Sequence, residues 1–187
     1  MNLSRLILSL MFLAPLSAFA QKGFSYSMPA VEVGFKWSSA NQTGAESNKQ
    51  SLAMQLGGSG VLNLSDSFGI RSGLFYSERA FKSEFIAGIT GEGKITYFEV
   101  PLHLMFKFED YAGVYLGPSA AIKLGDEYKP GSLRDVKDFV VPLTFGAQFK
   151  FHPMMGVNVF FETVTGELAR GVENSRAVGV NLMIVLD

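Results

Sequence analysis

From residue 31 onward, apolar residues recur at every second position, the period of a β-strand rather than a helix. The first run carries Val31, Val33, Phe35 and Trp37, with Glu32, Gly34 and Lys36 between them. The second sets Leu52, Met54, Leu56 and Leu62 against Ala53, Gln55, Gly57 and Ser59. The third sets Phe68, Ile70, Leu74 and Tyr76 against Arg71, Gly73, Ser77 and Arg79. The clearest sets Phe98, Val100, Leu102, Leu104, Phe106 and Phe108 against Tyr97, Glu99, His103 and Lys107. Four more follow, centred on Leu116, Phe145, Val159 and Val180.

Eight runs, joined alternately by short and long connections, predict an all-β fold. The specific expectation is a closed eight-stranded antiparallel up-and-down transmembrane β-barrel. The short connections are 63–67, 109–113 and 152–156; the long polar ones are 38–49, 80–93, 125–137 and 166–174. Three prolines interrupt the pattern. Pro101, Pro118 and Pro142 lie inside runs, and a proline gives no N–H to a ladder. A bulged or weakly paired patch is expected there, with a lateral opening to lipid as the sharper alternative.

Two assignments of the faces compete. In a soluble lipocalin-like barrel the apolar face points inward; in a membrane barrel it points to lipid. Through the middle of the runs the apolar face carries no Asp, Glu, Lys or Arg. Glu78, Lys94 and Arg176 share that face only near the long connections. This follows the cost of a basic side chain in a bilayer, about 2–4 kcal/mol at the midplane and close to zero at the interface. The lipid-facing assignment is therefore preferred. Aromatics at both ends of the same face (Phe68, Phe106, Phe108, Phe149 and Phe151; Trp37, Tyr76 and Phe139) fit two interfacial girdles.

The opposite face would then fill a narrow interior. Its charged members call for pairing, since a buried charge is tolerated only with a partner. Glu32, Arg71, Glu99, His103, Lys107 and Glu162 are expected to form a structural polar network there.

The start of the chain adds a compartment. Arg5, an apolar run over 6–16 and Ala18-Phe19-Ala20 have the anatomy of a secretory signal peptide. The expected division is therefore 1–20 as signal and 21–187 as one outer-membrane domain. The formal net charge of −1 gives no basic field for nucleic acid. The absence of cysteine removes disulfides and thiolate chemistry.

Certain stretches resemble the PorT-like outer-membrane β-barrel family. They are Gly69-Ile-Arg-Ser-Gly-Leu-Phe-Tyr-Ser-Glu-Arg79, Thr96-Tyr-Phe-Glu-Val-Pro-Leu102 with its Tyr-x-Glu-x-Pro-Leu pattern, and Gly113-Val-Tyr-Leu-Gly-Pro118. The resemblance runs from about residue 29 onward and implies a bacterial outer-membrane barrel. The final Val185-Leu186-Asp187 departs from the aromatic ending usual in such barrels.

Candidate chemistry is sparse. The lipid A deacylases, small barrel enzymes, use a His and a Ser two apart, and neither His103 nor His152 has a Ser at that offset. Asp126, Glu127, Asp135 and Asp138 lack a calcium-loop spacing. No cofactor, metal or catalytic residue is expected. Outer-membrane lipid is the expected surrounding, with a protein partner met through the long loops or the periplasmic turns. A lipid-modifying outer-membrane enzyme and a soluble periplasmic ligand-binding barrel are the alternatives.

Overall fold

A computed structural model describes residues 26–85, 88–109 and 111–186. The expected signal segment 1–20 lies outside these residues. Ten strands follow one another: β1 (Tyr26–Gln42), β2 (Ser47–Lys49), β3 (Ser51–Asn63), β4 (Phe68–Glu84), β5 (Thr90–Glu109), β6 (Ala112–Lys129), β7 (Phe139–Val140), β8 (Leu143–His152), β9 (Met155–Ala169) and β10 (Val172–Val185). Every pairing is antiparallel, and β1 lies between β3 and β10, the last strand.

This corrects the expected closed eight-stranded barrel. The fold is one sheet of ten strands, in which the eight long ones are linked in a ring of pairings. That ring is not a closed barrel, and its ladders are interrupted at identifiable places.

The sixth apolar run is cut in two by Pro142, which gives β7 and β8 instead of one strand. β6 meets β8 only from Ala112↔Phe149 to Pro118↔Leu143, and meets β7 at Ala121↔Val140 and Ile122↔Phe139. Between them, Ser119 N–H donates to the Pro142 carbonyl at 2.8 Å. Between β5 and β6 the ladder lapses from Pro101↔Ser119 to Leu104↔Leu116, with the register unchanged. Between β4 and β5 it lapses from Ser72↔Leu102 to Phe75↔Glu99, again without a change of register. The three prolines therefore mark one patch of weak pairing across adjacent strands.

A second interruption carries no proline. β2 pairs with β4 up to Lys49↔Lys82, and β3 resumes only at Gln55↔Ser77. Residues 50–54 thus run past 78–81 with one residue to spare, so the two ladders are out of step. Side chains bridge this rift. The Glu78 carboxylate accepts from Met54 N–H at 3.0 Å on the outer surface. On the inner side, Ser38 Oγ accepts from Ala80 N–H at 2.9 Å and donates to the Ala80 carbonyl.

The faces are the inverse of a soluble protein's. Glu32 and Lys36 are 0 % exposed, whereas Phe35 between them is 52 % exposed. Val31, Trp37, Leu102, Leu104, Phe145 and Val180 are likewise exposed, and Arg71, Arg79, Glu99 and Glu162 are buried. An apolar band of this extent suits hydrocarbon as its solvent, and so the lipocalin-like assignment does not hold.

The long connections are shorter than the composition implies. β4 and β5 stay paired out to Glu84↔Thr90, and β9 and β10 out to Ala169↔Val172. Much of 80–93 and 166–174, expected as loop, is therefore strand. These extensions turn Phe81, Leu168, Ala169 and Val172 inward, where they pack with Ile95, Tyr97 and Val140. Tyr128, Leu133 and Val136 cover the cluster from 125–137. The interior is thus stoppered by apolar side chains at its long-loop end. Ala30, Met183 and Val185 form a smaller apolar group in a separate interior layer.

Candidate functional site

Between these apolar layers lies a charged interior built by the inward-facing alternation of the long strands. Its first knot is Glu32 on β1. One carboxylate oxygen takes the Arg71 guanidinium and the Ser59 hydroxyl. The other accepts from Asn158 Nδ2 at 2.9 Å and Asn181 Nδ2 at 3.1 Å. Arg71 also donates to Gln148 at 3.2 Å, and its guanidinium carbon lies 4.7 Å from the centroid of the Tyr115 ring.

The second knot is Arg79 on β4. It reaches Glu99 and Glu162 at 3.0 Å each, and stacks over Tyr97 at 4.8 Å. Lys36 completes it, lying 3.3 Å from Glu162 and donating to Ser77 at 2.7 Å. Lys36, Arg71 and Arg79 therefore face Glu32, Glu99 and Glu162, three cations against three anions, all nearly inaccessible to solvent. Buried pairs of this kind contribute little net stability against an apolar core, but removing one partner is costly. They fix which strands lie opposite one another.

The expected network is thus distributed in a definite way. Glu32 and Arg71 pair directly. Glu99 and Glu162 are joined through Arg79. His103 reaches them indirectly: its Nε2 lies 3.2 Å from Ser119 Oγ, and Ser119 hydrogen-bonds the Glu99 carboxylate. Its ring stacks on Tyr115 at 5.0 Å. Lys107 stands apart, half-buried near the short turns, where it donates to Asn63 at 2.7 Å. Arg79 and Lys36 belong to the same inward alternation and carry as much of the network as any residue the sequence singled out. Asn158, Asn181, Ser59 and Gln148 were not singled out, because an uncharged polar residue on an inner face gives no sign of its partner until register is known.

His103 and Ser119 meet across β5 and β6, a contact that spacing along the chain does not reveal. It is not a nucleophile and its base. Both side chains are buried, and the serine hydroxyl is directed to Glu99. A nucleophile must instead yield its proton to the base and meet a substrate. Asp126 and Asp138 bind Lys123 at 3.6 and 3.3 Å, and Asp135 binds Arg170. Among the described residues no cluster of His, Asp and Glu could hold a metal ion.

On the long-loop side, the β2–β4–β5 extension carries the ion pairs Lys49–Glu84 and Lys82–Glu92. The hydrogen bond from Lys49 holds the exposed Glu84 carboxyl below the ordinary carboxylate value, and Lys82 does the same for Glu92.

Comparison with known proteins agrees with this architecture. The neisserial surface protein A structure has 12 % identity, covers 87 % of this chain and 99 % of its own, and superposes with a TM-score of 0.54. Ail, the attachment invasion locus protein of Yersinia pestis, solved with the heparin analogue sucrose octasulfate, has 16 % identity and a TM-score of 0.47, over 83 % and 97 % of the two chains. OprG from Pseudomonas aeruginosa has 10 % identity and a TM-score of 0.44, over 84 % and 94 %. At 12 % identity the likeness to neisserial surface protein A is one of fold. No curated protein sequence matches the chain. The family described as outer membrane protein beta-barrel domain matches residues 19–174. With a lipid-facing apolar wall and its ionic groups sealed inside, the chain belongs to that family and is a small protein of the bacterial outer membrane.

Proposed function

We propose that the protein is a plugged scaffold of the outer membrane that acts by contact, through its long-loop hairpins or its periplasmic turns, and not by passing solutes. The observation that carries this reading is the interior itself. Three cations are matched by three anions at its middle, and an apolar cluster stoppers its long-loop end. A conducting channel needs a continuous wet path with charge available to a passing ion. The extended β4–β5 hairpin, with its paired Lys and Glu side chains, is the rigid surface best placed to meet a partner outside the bilayer. In this reading residues 1–20 direct export and 21–187 form the membrane domain, with Glu32, Arg71, Glu99, His103 and Glu162 as structural rather than catalytic residues. The strand motifs at 69–79, 96–102 and 113–118 support placement in the PorT-like branch.

The test pairs two measurements on the protein in lipid. Planar-bilayer recording is expected to show no discrete conductance steps. A photo-crosslinking side chain at Ile89, exposed at the hairpin tip, is expected to give a discrete protein adduct in cells. Reproducible conductance steps with no adduct would overturn the scaffold reading.

A further inference from the structure

We propose that Arg176, flanked by Ser39 and Thr163, forms a site on the lipid-facing wall for the phosphate group of an outer-leaflet lipid. Arg176 on β10 stands directly opposite Ser39 on β1 and Thr163 on β9. Residues paired across antiparallel strands hold their Cβ atoms about 4.5–5.5 Å apart on one face. One guanidinium and two hydroxyls therefore meet at one place on the wall. Two residues nearer the short turns, Val178 lies between Trp37 and Phe161 in the same way, and all three are exposed. A polar trio thus borders an apolar trio.

The height of the polar trio is that of the headgroups. Arg176 lies eight residues along β10 from Ile184, which pairs with Met155 beside a short turn. That is about 26 Å of strand, and about 20 Å of height at a tilt of about 40°. The apolar band of such a wall is about 25 Å tall, so Arg176 stands close to its far edge. Trp37, the side chain type that favours this boundary, is in the next rank below.

The chemistry calls for an anion. On the same wall Glu78 and Lys94 neutralise each other at 3.1 Å. Arg176 is exposed, and its guanidinium has no ion-pair partner among the described residues. The nearest acid on its own strand, Glu173, stands opposite Asn41 and Glu167, beyond a bulge in both ladders. A bilayer surface supplies phosphate at this level. The guanidinium fork matches two phosphate oxygens with parallel N–H donors, and the hydroxyls of Ser39 and Thr163 can donate to a third. An acyl chain of the same lipid would then lie along Trp37, Val178 and Phe161.

The test uses the protein as isolated from the outer membrane and held in a maltoside detergent, which carries no phosphate. Dioleoyl phosphatidic acid is titrated in while NMR follows the Arg176 Nε–H resonance, assigned through its loss in Arg176→Gln. Dioleoylglycerol and inorganic phosphate are titrated for comparison. A saturable shift is expected with phosphatidic acid, none with dioleoylglycerol, and an affinity lower by at least about tenfold with inorganic phosphate, which lacks the chain. Native mass spectrometry should show phosphatidic acid held at least about tenfold more weakly by Arg176→Gln. Arg176→Lys, which keeps the charge but not the fork, should fall between the two. A shift that does not saturate, an equal response to dioleoylglycerol, or unchanged binding in Arg176→Gln would overturn the proposal. Equal affinity for inorganic phosphate would make this a site for the free ion and overturn the lipid assignment. A shift of the Arg176 resonance in lipid-free Glu173→Gln would show the guanidinium already paired, and would overturn it as well.

Discussion

Replacing Glu32 with alanine tests whether the ionic interior holds the strands in register. Glu32 is wholly buried and binds Arg71, Ser59, Asn158 and Asn181, side chains from β4, β3, β9 and β10. Its removal leaves the Arg71 guanidinium buried without its carboxylate, a defect that costs about 3–5 kcal/mol. Arg71 retains Gln148 and the face of Tyr115, which moderates but does not replace the lost charge. The loss should therefore fall in that range, a destabilisation of at least a hundredfold in the folding equilibrium. Removing both charges, as Glu32→Met with Arg71→Met, takes away the uncompensated cation and should recover at least about 2 kcal/mol of it, because whole buried pairs are often replaceable by apolar residues. The assay is urea unfolding in lipid vesicles, followed through Trp37. This is the only tryptophan, and it lies on the lipid-facing wall. Loss of the heat-modifiable gel shift serves as the second probe. A cost below about 1 kcal/mol for Glu32→Ala, or a double variant no more stable than the single one, would refute the pairing argument.

Three further outcomes are expected. Val180→Arg, on the exposed face between Phe35 and Val159, should cost about 2–4 kcal/mol in lipid, whereas Phe151→Arg beside the short turns should cost about 1 kcal/mol or less; equal costs would mean that this wall does not meet a bilayer. A Cβ on Gly117 would lie 2.4 Å from the Leu102 carbonyl and 2.7 Å from His103 Cα, so Gly117→Ala should cost about 1–3 kcal/mol in the same unfolding assay; a neutral result would mean that β5 and β6 can part freely at the proline patch. Glu84 and Glu92 have depressed values in the folded protein, so their ion pairs contribute above the ordinary carboxylate range and are lost as pH falls through the lowered values. The Ser83 and Gly91 amide resonances should therefore titrate with midpoints below 4.5, the unperturbed value, and midpoints at or above it would show the hairpin pairs to be unformed.

Much of this arrangement is legible one residue at a time. Phe35 outward and Lys36 inward follow from a period of two, and the confinement of Glu78, Lys94 and Arg176 to one end of the apolar face already says which face meets lipid. What alternation cannot supply is the relation between strands. It gives Arg79 a direction but not its two carboxylates, which come from β5 and β9. It gives Asn158 and Asn181 no role at all until Glu32 is found between them. Strand count fails for a related reason. Pro142 could be seen as an awkward residue, yet whether it bends a strand or splits it depends on the neighbour, and β6 turned from β8 to β7 across it. The rift between β3 and β4 leaves still less trace, because it arises from one surplus residue in 50–54 relative to 78–81. Its repair does explain what two polar side chains do. Glu78 is a carboxylate on a lipid-facing wall because Met54 N–H would otherwise face that wall unpaired. Ser38 sits where its hydroxyl can serve both backbone groups of Ala80. In hydrocarbon an unsatisfied backbone group costs several kcal/mol, so where a ladder lapses in this wall a side chain must stand in for the missing strand. A polar residue breaking the apolar alternation of such a sequence is therefore a sign of a lapse in pairing beside it, and Glu78 is the instance this chain provides.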